Sequence, residues 1–226
     1  MTNRIKMKTI SNFLILLFLF ISCEEKLKSS SSGLPYIGHH DIALTDENGY
    51  EKGDTIFHTV EDFIYLNQDS TMLRSKEIKN TIWVVKFFFS HCRTICPPMT
   101  QQMAQLRDSV EDIKEHLTFL SFSIDPEKDT PVRLRQYRDR YGITASNWYF
   151  LTGEENETHR LGTESFYVNA FADENAQGGF AHSANLILVD KEQHIRGLYD
   201  GTSNEGREQL EEDIRKLISD EYSTKN

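Results

Sequence analysis

The run from Thr81 to Ser90, TIWVVKFFFS, is β-branched or aromatic at nearly every position and carries one charge, so it reads as a central strand covered on both faces. Leu117 to Ile124, LTFLSFSI, has the same character. Between them Met99, Met103, Leu106, Val110, Ile113 and Leu117 recur at alternating steps of four and three, the apolar stripe of one amphipathic helix. Two buried strands joined by a helix make a right-handed crossover with the strands parallel. That unit sets the class as α/β.

The rest of the chain extends the unit. Asp125-Pro126 ends the second strand. Asp129 or Thr130 can cap a further helix with Pro131 in its first turn, Leu134, Tyr137 and Tyr141 on its buried side and Gly142 as its stop. Asn147 to Leu151 reads as a short strand and Glu154 to Val168 as a helix. After the turn Gly178-Gly179, Ala184 to Asp190 and His194 to Tyr199 form a hairpin around Lys191-Glu192-Gln193. Asn204 to Ser219 closes the chain as an amphipathic helix with Leu210, Ile214, Leu217 and Ile218 inward. Upstream, from Leu34 to about Asp69, two or three short strands are expected, with turns at Glu47-Asn48-Gly49 and Gly53-Asp54; Phe63 to Leu66 is the clearest strand. The order strand, helix, strand, helix, insertion, hairpin, helix is the thioredoxin-like arrangement. It predicts a central mixed sheet flanked by helices, with an N-terminal β extension and an insertion between about Gly142 and Ala181, ahead of the C-terminal hairpin. Residues 34–226 are read as one domain.

The first residues do not belong to that core. Arg4, Lys6 and Lys8 precede an apolar run, Phe13 to Ile21, that is short for a bilayer span and has the charge layout of an export signal. It ends at Ser22-Cys23, which looks like a bacterial lipoprotein processing site. Residues 1–22 are then a signal peptide and Cys23 the lipidated first residue of the mature chain, although Phe20 departs from the usual leucine. The alternative is an uncleaved signal anchor. Residues 23–33, charged and then serine-rich, read as a flexible tether. Either way the domain is expected outside the cytoplasm, on the periplasmic side of a membrane.

With Cys23 carrying lipid, Cys92 and Cys96 remain as thiols, and a close pair outside the cytoplasm invites oxidation or metal. The net charge of −10 argues against nucleic-acid binding through a basic patch. Both cysteines lie in FFFSHCRTICPPM, between the first buried strand and its helix. Pro97 and Pro98 suit a first helical turn, which places Cys96 at the helix mouth, where the dipole and nearby Arg93 and His91 predict thiols more acidic than ordinary cysteine. Spacing lets the sulfurs converge on one ion or close a disulfide. A structural disulfide is the plainer alternative, though so small a loop would gain little from it. Antiparallel pairing of the strand from Ala184 with the strand from Thr81 brings His182 toward the loop. Its segment, GGFAHS, has no proline where thioredoxins face their thiols with one. Two thiolates and an imidazole are a soft three-donor set that suits Cu(I), also accepts Cu(II), and is one ligand short of structural zinc. His91 is read as a strand-end residue, Met99 and Met103 as core, and His39-His40 as solvated.

The stretches FFFSHCRTICPPM, SIDPEKDTP, YFLTG and AHSANLILVD resemble the SCO/SenC family of thioredoxin-like copper proteins, over about Leu34 to Leu217. The CxxxCP loop with a histidine shortly before the hairpin is specific to that family; SIDPEKDTP is shared in spirit with peroxiredoxin-like relatives. The resemblance implies a membrane-tethered domain that binds copper through Cys92, Cys96 and His182 and helps assemble the dinuclear copper centre of cytochrome c oxidase. Its partner would be the oxidase subunit carrying that centre, or another cuproprotein. It also implies a second reading, a thiol-disulfide oxidoreductase in which Cys92 and Cys96 are the redox-active catalytic pair. A thiol peroxidase finds no separate motif for activating peroxide. The family usually has a proline and an acidic residue between the cysteines, where this chain has Arg93 and Thr94, a change expected to alter copper affinity or redox tuning.

Overall fold

The computed structural model describes residues 32–46, 49–172 and 180–222. The export signal, Cys23 and most of the tether lie outside them, as does the turn at Glu47-Asn48. Among the described residues no helix is long and apolar enough to cross a membrane.

Strands β1 (Asp41–Ile42) and β2 (Thr55–Ile56) pair with each other in a small sheet of their own. Next, β3 (Ile64–Asn67) and β4 (Met72–Arg74) form an antiparallel hairpin. β5 (Ile82–Phe88) is buried at every position, as its composition demands. It is followed by α1 (Cys96–Ser109) and by β6 (Leu117–Ser123), also buried throughout, which pairs parallel with β5 from Ile82↔Leu117 to Phe88↔Ser123. α2 (Pro131–Arg140) leads to β7 (Trp148–Thr152), parallel to β6. After α3 (Glu155–Arg160), β8 (Ala170–Ala172) and β9 (Phe180–His182) pair as a separate two-stranded sheet. The hairpin of β10 (Asn185–Val189) and β11 (Ile195–Asp200) and the helix α4 (Asn204–Glu221) complete the fold.

Seven strands make one mixed sheet in the order β11-β10-β5-β6-β7-β3-β4. On one face Phe88, Trp148 and Phe150 pack around Tyr137 of α2. On the other, Phe87 and Phe122 meet Phe63, Tyr65 and Phe166. Met99, Met103, Leu106 and Val110 are fully buried, so that stripe is the inner side of α1.

Four details differ from the pattern reading. The stripe runs past the helix: α1 ends at Ser109, and Ile113 sits at a non-helical φ of −127° in a 3-10 turn, because Leu117 is already committed to pairing with Ile82. The helix expected to reach Val168 stops at Arg160, passes through a π turn over Leu161–Ser165 and is ended by Tyr167 in the left-handed region. Ser165 is held there by long-range bonds, its hydroxyl accepting from the Glu61 N–H and its carbonyl bonded to His58 Nε2. β7 belongs to the main sheet, so only the part of the expected insertion that follows it is added to the core. The β3–β4 hairpin, of which only the first strand was legible, extends the sheet edge through pairing of Leu66 with Thr152.

Candidate metal centre

The cysteine loop leaves the buried end of β5. Ser90, the second residue past the strand, is fixed by Asp129, whose Oδ2 accepts from the Ser90 N–H at 2.9 Å and from Ser123 Oγ at 2.6 Å. Asp129 therefore ties the loop to β6, and the cap of α2 is Thr130, whose hydroxyl accepts from the Arg133 N–H. Cys96 is the first residue of α1, with prolines after it, so the expected helix mouth is where the sequence put it.

Cys92 and Cys96 are both thiols, 9% and 0% exposed. Their sulfurs are within hydrogen-bonding contact of each other, and the backbone of Phe89 also hydrogen-bonds to Cys96. Thr94 Oγ1 lies 3.5 Å from Cys92 Sγ, a hydroxyl where the resembled family usually has an acidic residue. Arg93 is exposed. The expectation of acidic thiols fails for Cys96. Burial, and then the adjoining Cys92, push it far above the ordinary cysteine range, and the opposing effects of the Phe89 backbone and Lys86 are smaller. A helix mouth lowers a thiol pKa when water or cations reach it; here the sulfur is sealed in the core.

His182 is the last residue of β9, its backbone opposite Ala170. β10 runs antiparallel to β5 with Ile187 opposite Val85 and Val189 opposite Trp83, so the chain entering β10 comes from the end of β5 that carries the cysteine loop. The topology on which His182 was selected is therefore present. The two sulfurs are brought together; His182 stands on the segment leading to their side of the sheet. No peptide bond among the described residues is cis.

His91 Nε2 is 3.5 Å from Oδ2 of Asp125, which is 2% exposed and also takes Lys128 Nζ at 2.8 Å. His91 is thus oriented by a carboxylate from the end of β6 instead of ending its strand unassisted. Sequence reasoning missed Asp125, Asp129 and Lys86 as neighbours of the site. The first two follow from the parallel register of β5 and β6, which sets their ends side by side; the third was visible as the lone charge in an apolar run. His39 and His40 are exposed, as expected.

Lys86 is completely buried, and Nζ donates to Thr100 Oγ1 at 2.5 Å. Burial lowers its pKa to about 7, opposed by the Cys96 charge. Thr100 in turn donates to the Cys96 carbonyl at 2.8 Å and lies 2.7 Å from Tyr137 Oη.

The SCO1/SenC family model matches residues 52–219. A SCO1 protein homolog of Bacillus subtilis is 29% identical over 168 residues, 74% of this chain and 86% of its own length. Among solved structures, a SCO1/SenC family lipoprotein from Bacillus anthracis superposes with a TM-score of 0.65 at 31% identity, covering 71% of this chain and 95% of the other. BsSco, described as a member of the Sco family of cytochrome c oxidase assembly proteins with a disulfide switch, gives 0.64 at 29% identity, over 72% and 94% of the two chains.

Proposed function

The chain belongs to the SCO1/SenC family with a thioredoxin-like fold, and on that premise we propose that it is a membrane-tethered copper chaperone. Cys92, Cys96 and His182 hold the ion as Cu(I) and Cu(II), and the cargo goes to the dinuclear copper centre of cytochrome c oxidase. The observation that carries the reading is the contact between two buried thiols at the start of α1. Two adjacent sulfurs shielded from water are a soft donor pair, and a metal ion is what displaces protons from a thiol that burial keeps neutral. The description of BsSco as belonging to a family of oxidase assembly proteins supports the choice of client. Lipid on Cys23 would hold the domain at the membrane, on the periplasmic side, and Cys23→Ser would release it into the soluble fraction.

Copper titration of the purified full chain, reduced and oxidised, tests the reading. The reduced chain is expected to bind about one copper, Cys92→Ser and Cys96→Ser to lose it, and His182→Ala to lose Cu(II) while keeping some Cu(I) affinity. If all three variants bind copper as the parent does, the reading is wrong.

A second reading rests on the exposure difference between the two cysteine residues. Cys92 at the rim could attack a client disulfide as thiolate, displacing one client sulfur, and sealed Cys96 could then resolve the mixed disulfide, releasing the reduced client and leaving Cys92–Cys96 oxidised. Failure of the reduced chain to exchange with any oxidised partner would remove it.

A further inference from the structure

The core contains a cation that the fold alone does not explain. Lys86 sits in β5 with no exposed surface, and among the described residues no carboxylate oxygen lies within 4.0 Å of its nitrogen. Its neighbours are the hydroxyl of Thr100 and the rings of Phe88 and Trp148, whose centroids are 5.2 and 5.8 Å away. Rings and one hydroxyl attract an ammonium but do not neutralise it. Burying an unpaired ammonium costs several kcal/mol, so a lysine held there needs an anion or gives up its proton. The group nearby that can become anionic is Cys96 on α1, with Cys92 against it; from α2 the titratable group is Tyr137, reached through Thr100 and itself pushed upward by burial.

The geometry is specific to the cysteine pair. Thr100 is one helical turn beyond Cys96 and joins them by hydrogen bonds, accepting from Lys86 and donating to the Cys96 carbonyl. The lysine is thereby aimed at the start of α1.

We propose that Lys86 is the counter-cation of the Cys92–Cys96 centre, a positioning residue whose ammonium balances the charge that the two sulfurs acquire as thiolates. This rests on the copper reading and sharpens it. Two thiolates around Cu(I) carry a single negative charge, which Lys86 brings to zero; around Cu(II) they are already neutral, and the ammonium leaves an uncompensated positive charge in the core. A low-dielectric interior makes that difference count, so Lys86 biases the site toward the monovalent ion.

Lys86→Met removes the charge and keeps an unbranched apolar side chain. In the full chain loaded with copper, the variant is expected to lose about tenfold or more in Cu(I) affinity, measured by competition with a chromogenic Cu(I) chelator, with Cu(II) affinity unchanged or raised. A merely structural role would lower both copper affinities together, and equal loss of both ions overturns the proposal. Should the parent bind no copper, the copper reading fails and the assignment of Lys86 to a charged Cys92–Cys96 centre falls with it. If the variant does not fold, the Nζ and Cε resonances of Lys86 in the parent decide. They must report an ammonium in the Cu(I)-loaded chain, and a neutral amine there refutes the assignment.

Discussion

Asp129→Ala is expected to destabilise the protein and loosen the loop that carries Cys92. The carboxylate is 0% exposed and its Oδ2 receives both the Ser90 N–H and the Ser123 hydroxyl. A hydrogen bond to a charged acceptor contributes about 1.5–3 kcal/mol, and each stranded buried donor adds a desolvation penalty. The two bonds share one acceptor and do not add fully, so the loss should be about 3–5 kcal/mol, a large share of the roughly 5–15 kcal/mol that holds a domain folded. Asp129→Asn separates geometry from charge. Its carbonyl can accept from both donors, and the Oδ1 that it replaces has no partner, so the loss should fall to about 1–2 kcal/mol. Urea unfolding at constant m measures both values. Alkylation followed by mass spectrometry should show Cys92 reacting faster in the alanine variant under native conditions. A loss below about 1 kcal/mol for alanine, or equal losses for alanine and asparagine, would refute the view that these bonds anchor the loop.

Met103→Ala should cost about 2–5 kcal/mol in unfolding experiments and leave copper stoichiometry alone, since Met103 is fully buried on the core side of α1; loss of copper would make it a ligand. Arg196 Nη1 and Asp190 Oδ2 pair at 2.9 Å with both side chains 2% exposed, and Arg196 also donates to the carbonyls of Leu34 and Pro35. Arg196→Met should cost about 3–5 kcal/mol and open the segment around Leu34 to proteolysis, and adding Asp190→Asn should restore part of the loss in a double-mutant cycle. Glu221 is raised to about 7, first by burial and then by the charges of Asp190 and Glu192. A carboxyl raised in the folded state stabilises fully below its unfolded pKa, near 4.5, and that contribution disappears as pH rises through about 7. The melting temperature of Glu221→Gln should therefore gain on the parent between those two pH values; a constant difference across the range would rule this out.

Local pattern alone made the centre of this fold legible. A run as apolar as TIWVVKFFFS can be satisfied only by burial, the stripe from Met99 to Val110 only by one helix face, and the prolines after Cys96 only by a helix starting there. Together these fix the parallel crossover and the position of the cysteine loop, and the register of β10 on β5 follows the hairpin that the sequence announced. The tertiary structure decided whatever depends on residues far apart in the chain. It joined β3 and β4 to the sheet edge, and it gave Asp129 to the loop instead of to its own helix. It also reversed the expected effect of the helix mouth on Cys96. Dipole and neighbouring charge can be read from sequence, but the desolvation that outweighs them depends on how completely other elements cover the sulfur. The same packing enclosed Lys86, the one charge in an apolar strand, and left it beside the only pair of groups whose chemistry gives its ammonium a partner among the described residues.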